Sequence, residues 1–106
     1  MKEFDHPETE AISLCNILQA LGDPVRLSIV SQLAENKSEI GWGEFEVVVG
    51  KATLSHHMKC LRKAGLINHR KEGTRCFVAL RAEIDIIFPG LLPSVLNAAI
   101  AVGKRL

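Results

Sequence analysis

The 106-residue sequence contains no apolar stretch long enough to cross a bilayer. Its longest runs are Ile84 to Leu92, interrupted by Asp85 and Pro89, and Val95 to Val102. The opening residues, Met1-Lys2-Glu3-Phe4-Asp5-His6, lack the apolar core of a secretory signal, and none is expected. Cysteines are few and odd in number: Cys15, Cys60 and Cys76 suit a reducing cytoplasm and argue against a disulfide framework. No internal repeat or low-complexity segment is present. No Ser/His/Asp set, phosphate loop or carboxylate pair stands at catalytic spacing, so no enzymatic activity is expected. With 47% hydrophobic residues, the length suits one domain over 1–106, with the polar, acidic residues 1–8 flexible. A domain this small gains by burying surface in a copy of itself.

Net charge is also nearly absent, at +1, but it is unevenly spread. Residues 1–50 carry −6, residues 51–75 carry +6 and residues 76–106 carry +1. The basic segment holds Lys51, Lys59, Arg62, Lys63, Arg70, Lys71 and Arg75 against Glu72 alone. One concentrated basic face on a near-neutral protein suits a polyanion; a merely solvated cationic surface is the plainer alternative.

Apolar residues then place the elements. Ala11, Ile12, Leu14, Cys15, Ile17, Leu18 and Leu21 recur at helical spacing, with Gly22 as a stop. That face covers more than half the helix, so part of it is available to a second subunit. Asp23-Pro24 is a strong helix start, and Leu27, Val30 and Ala34 give a stripe running to about Glu35. Glu44 to Val49 reads as a short third helix, although three consecutive valines suit a strand equally. After Gly50, Leu54, Met58 and Leu61 form one apolar line, with Ser55, His56, Lys59, Arg62 and Lys63 on the opposite side. Gly65-Leu66 predicts a left-handed helix end. Strand-like runs Leu66 to Arg70 and Thr74 to Arg81 flank Lys71-Glu72-Gly73, a hairpin turn. Ala82 to Ile87 reads as a connection. The last helix, about Leu91 to Lys104, is apolar over Leu92, Val95, Leu96, Ala99 and Ile100, and pairing with the first helix of a second copy is its simplest cover. The order describes a mainly α fold with a β-hairpin wing: a winged helix-turn-helix, dimeric through its first and last helices.

At motif level, Ala20-Leu21-Gly22-Asp23-Pro24-Val25-Arg26-Leu27 resembles the "ALGDPxRL" opening of the ArsR/SmtB family of bacterial winged-helix repressors. Thr53-Leu54-Ser55-His56-His57-Met58-Lys59-Cys60-Leu61-Arg62-Lys63-Ala64-Gly65-Leu66 resembles that family's "TLSHHLxxLRxAGL" recognition helix, and Glu72-Gly73-Thr74-Arg75 its wing turn. The resemblance runs from about Ala20 to Leu80 in order and spacing. It implies a homodimeric repressor of a double-stranded DNA operator, released by an effector or by thiol oxidation.

The residues fit that role. Thr53 and Ser55 are small and polar, letting the helix approach base edges, and His56 can donate or accept. His57 borders the apolar line, so a DNA contact and a packed histidine are both open. Lys51, Lys59, Arg62 and Lys63 would meet phosphates, and Arg70, Lys71 and Arg75 place cations on the wing. The family's metal sites, a Cys-x-Cys pair in the third helix or Asp and His in the last, have no counterpart in Ile40 to Val47 or Leu91 to Leu106. Adjacent His56 and His57 point to different sides of a helix, and Asp5, His6, Glu8 and Glu10 make only a weak set, so no metal and no cofactor is expected. Each cysteine can be a small buried hydrophobe. Cys60 and Cys76 are also redox candidates, expected to approach where the wing packs near the recognition helix; Cys15 is a third. The rival reading is a winged helix used as a protein-interaction module, its basic face meeting an acidic partner.

Overall fold

A computed structural model describes residues 4–105, with side chains through residue 102. Met1–Glu3, part of the segment expected to be flexible, and Leu106 lie outside the described residues. After a 3₁₀ turn at Thr9–Ala11, helix α1 spans Leu14–Leu21, capped by Ser13, whose Oγ accepts from the Asn16 amide at 3.1 Å. The helix thus begins later than the spacing from Ala11 predicts, because Ile12 is extended and buried against Gly65. Helix α2 spans Pro24–Asn36, and Asp23 Oδ1 accepts from the amides of Val25 at 2.8 Å and Arg26 at 3.0 Å. Those two donors are otherwise orphaned in a first turn.

Strand β1 (Ile40–Gly41) and a 3₁₀ turn at Trp42–Glu44 follow. The helix predicted over Glu44 to Val49 is not formed, nor is a strand. Phe45 is buried there, and the Gln32 side chain takes the backbone of Glu46, accepting from its amide at 2.9 Å and donating to its carbonyl at 3.1 Å. That amide and carbonyl are the groups a helix or ladder would use. Helix α3 spans Lys51–Ala64, and the wing is β2 (Ile67–Glu72) with β3 (Arg75–Leu80). The sheet order is β1-β3-β2, antiparallel throughout, with Ile40 opposite Val78 and His69 also opposite Val78 on the other side. The predicted connection contains a short helix, α4 (Glu83–Ile87), before α5 (Leu91–Arg105).

Ile17, Ile29, Val30, Leu33, Met58, Leu61, Leu66, Ile67, Val78 and Ile84 are fully buried. Met58 and Leu61 therefore anchor α3 in the core, each worth about 1.5–3 kcal/mol of burial. The helix ends as predicted: Gly65 is left-handed at φ +94°, its amide bonds the Arg62 carbonyl at 3.0 Å, and the Leu66 amide bonds the Leu61 carbonyl at 3.1 Å. Leu14 and Leu18 of α1 and Ile100 and Val102 of α5 stay between 44% and 46% exposed. Residues 4–7 lie against the wing and its exit: the His69 amide donates to His6 Nε2 at 2.9 Å, and Arg81 Nη1 donates to the Pro7 carbonyl at 2.6 Å.

Candidate nucleic-acid interface

Helix α3 presents Lys51, Thr53, Ser55, His56, Lys59 and Lys63 to solvent as one polar and basic surface, opposite the buried Met58 and Leu61. Its N-cap residue, Gly50, has no side chain to accept from the first-turn amides, a feature that suits phosphate. Lys71 is exposed near the wing turn. Lys51, Lys59, Lys63 and Lys71 have no carboxylate partner among the described residues.

The remaining candidates are held by the protein itself. His57 is buried at 8% exposure: its Nδ1 accepts from Arg26 Nη1 at 3.2 Å and lies 3.9 Å from Asp23 Oδ1. Arginine can only donate, so Nδ1 is the accepting nitrogen, and of the two roles open to His57 the structure shows the packed histidine, facing α2. Arg62 is half-buried, donating from Nη1 to His69 Nδ1 at 3.1 Å, with its guanidinium 4.8 Å from the Phe4 ring centroid. Arg70 is ion-paired with Glu39 and Glu72. Its hydrogen bonds hold the Glu39 carboxyl below the usual carboxylate range and push the Arg70 guanidinium further up. Arg75 lies 3.5 Å from Glu44, and Arg70 and Arg75 both cover the Phe77 ring, at 4.6 Å and 5.0 Å. Both wing arginines are thus partly neutralised at the surface.

The junction between wing and helix is marked by no motif. His69 is 4% exposed, stacked on Phe4 with ring centroids 3.6 Å apart, and 5.2 Å from the Trp42 ring. Burial first, then Arg62 and His6, lower its pKa to about 4. Alternation along β2, with Ile67 and His69 both facing inward, is the signal that could have found it.

A family model described as bacterial regulatory protein, arsR family, matches residues 23–69. The chain is 35% identical over 82 residues to the uncharacterized HTH-type transcriptional regulator YceK of Bacillus subtilis, covering 74% of this chain and 82% of that protein. The chain belongs to the arsR family of bacterial regulatory proteins. It is also 46% identical over 59 residues to an uncharacterized HTH-type transcriptional regulator of Methanocaldococcus jannaschii, covering 55% of this chain and 66% of that protein, just under two thirds of its length. The crystal structure of the transcriptional repressor BigR from Xylella fastidiosa matches with a TM-score of 0.64 at 28% identity, over 84% of each chain.

The arsR-family match includes both the Asp23–Arg26 turn and α3, and the structure joins them. Arg26 Nε donates to the Ala20 carbonyl at 2.7 Å while its Nη1 reaches His57, so one side chain ties the end of α1 to the recognition helix. Asp23, its carboxyl held below the usual range chiefly by the Arg26 amide, caps the same turn. The cysteines fall apart. Cys60 lines a cleft of about 360 Å³ with Asn16, Gln19, Arg26 and Lys63, its Sγ 3.6 Å from His56 Nε2. Cys76 sits opposite Lys71 and lines a separate cleft against the Trp42–Glu44 turn. Cys60 and Cys76, expected to approach each other, line different clefts: the wing meets α3 through His69 and Arg62, with Cys76 toward the hairpin end. Cys15 is exposed on α1. No described helix is long and apolar enough to cross a membrane.

Proposed function

We propose that this arsR-family chain is a cytoplasmic, sequence-specific DNA-binding repressor that acts as a homodimer and leaves its operator when an effector binds or a thiol is modified. The observation that carries the reading is the exposed polar and basic side of α3, fixed to the core by Met58 and Leu61 and flanked by the wing lysine Lys71. Thr53, Ser55 and His56 read base edges, and Lys51, Lys59, Lys63 and Lys71 hold phosphates. The exposed apolar residues of α1 and α5 support pairing of two copies, which would present two α3 helices to successive major grooves. The relatives' names, transcriptional regulator and repressor, support the same assignment. Among the cysteines, Cys60 is the thiol whose modification would matter most, because it shares α3 with the reading residues and has His56 beside it.

Binding to the best duplex selected from a random pool, measured against salt, tests the reading. Four exposed lysines per protomer make eight phosphate contacts in a dimer and a log–log slope of about −7. A slope shallower than about −3, with no preferred duplex, would instead favour an acidic protein partner. Ser55→Ala is expected to weaken the selected site more than random sequence, and Lys59→Ala to weaken both alike.

A further inference from the structure

We propose that Phe4–Pro7 is an autoinhibitory strap that withholds Arg62 from DNA. The proposal rests on the DNA-binding reading of α3. Arg62 follows Ser55 and Lys59 by seven and three positions, so it continues their stripe as its next cation. Its guanidinium is nevertheless partly taken up within the fold. Nη1 is spent on His69 Nδ1, the Phe4 ring covers its face, and Nε is buried with no acceptor among the described residues. Phe4 is held there by stacking on His69 at an interplanar angle of 14°, and the strap is pinned at two further points, His6 Nε2 to the His69 amide and the Pro7 carbonyl to Arg81. Asp5, exposed on the strap, adds a negative charge beside the basic helix.

These attachments are few and reversible. Phe4–Pro7 form no helix or strand, and one ring and two hydrogen bonds tie them to His69 and Arg81. A DNA phosphate competes directly: it offers Arg62 charge-assisted, bidentate acceptors, including one for the Nε that has none within the fold. Strap opening would therefore add one phosphate contact per protomer, independent of sequence.

The test uses the full chain and a mixed-sequence duplex, since a phosphate contact does not depend on bases. Strap removal in a Phe4→Ala/His6→Ala variant is read first as faster hydrogen exchange at the His69 amide, which loses its acceptor. That variant is expected to bind the duplex several-fold more tightly than wild type, with a log–log salt slope steeper by about 1.8 for a dimer, so that halving the salt gains about 3.5-fold more affinity than it does for wild type. Arg62→Gln is expected to change wild-type affinity little and to abolish the gain in the strap variant. His6→Gln, which keeps an acceptor for the His69 amide, is expected to match wild type, and His6→Ala alone serves if the double variant does not fold. Faster exchange with unchanged or weaker binding overturns the proposal, as does a gain that survives Arg62→Gln or a His69 amide already unprotected in wild type. Failure of the strap alone leaves the Lys59→Ala loss intact. Equal binding by wild type and Lys59→Ala would overturn the DNA reading and the strap with it.

Discussion

Gly65→Ala probes how α3 is joined to the wing. Gly65 occupies the left-handed position that ends the helix, at φ +94°. An L side chain there costs about 1–2 kcal/mol. A Cβ at Gly65 would also stand 2.7 Å from both Cδ1 and Cγ1 of Ile12. Ile12 is buried between the first 3₁₀ turn and α1, so it can yield only by disturbing its neighbours. Overpacking of this kind adds roughly 1–3 kcal/mol. The expected loss is about 2–5 kcal/mol, or a Tm lowered by roughly 10–25 °C. Urea unfolding followed by circular dichroism at fixed protein concentration measures it. Repeating the substitution on an Ile12→Ala background separates the two parts: the steric share should vanish, leaving about 1–2 kcal/mol. A loss below about 0.5 kcal/mol, or one that Ile12→Ala leaves unchanged, refutes the reasoning.

Acidification should weaken the junction between strap and wing. Burial first, then Arg62 and His6, lower the His69 pKa to about 4; burial first also lowers that of His6, with Arg62 and Arg81 adding to the shift and Asp5 opposing it. Because both folded values lie below the unfolded 6.5, the folded state binds fewer protons, and stability falls as pH drops from about 6.5 toward about 4. A His69 ring proton titrating near 6.5 by NMR would contradict this. A Leu18→Glu/Ile100→Glu variant should sediment as a monomer and lose most of its DNA affinity, since both positions lie on the exposed apolar faces of α1 and α5; wild-type chain that is already monomeric at working concentrations removes the dimer. Peroxide should release wild-type protein from DNA but spare Cys60→Ser, with Cys76→Ser responding as wild type does; identical responses of wild type and Cys60→Ser would exclude the Cys60 switch.

Periodicity made most of the fold legible, because helix faces and hairpin turns are local properties. Leu54, Met58 and Leu61 fall on the buried side of α3, and Gly65 ends it as its neighbours require. The stretch Glu44 to Val49 failed because its conformation is set from outside, by the Gln32 side chain on the Glu46 backbone. Composition alone cannot report such a partner 14 residues away. The same limit divides the candidate site. Spacing identifies which side chains share a face, but not which already have partners. Lys59 and Arg62 are near neighbours on one stripe, yet Lys59 has no carboxylate partner among the described residues while Arg62 is bound to His69 and covered by Phe4, a residue 58 positions earlier in the chain.

The histidine pair in α3 carries that distinction to its sharpest point. His56 and His57 are adjacent and chemically identical, but successive helix positions lie about 100° apart, so one faces solvent and the other faces α2. The inward one is useful because of Arg26. With Nε on the Ala20 carbonyl and Nη1 on His57, Arg26 fixes the middle of the recognition helix to the end of α1. Asp23 sets the turn from which Arg26 reaches, through its two amide bonds. The two motif stretches, which contribute Asp23, Arg26 and His57, are therefore one mechanical device rather than two contact surfaces. Losing Arg26 should tilt or loosen α3 without removing any group that meets DNA, so Arg26→Ala would lower affinity for the selected site while leaving the salt slope near its wild-type value. Lys59→Ala would do the reverse, making the slope shallower by about 1.8 for a dimer while leaving the preference among duplexes in place.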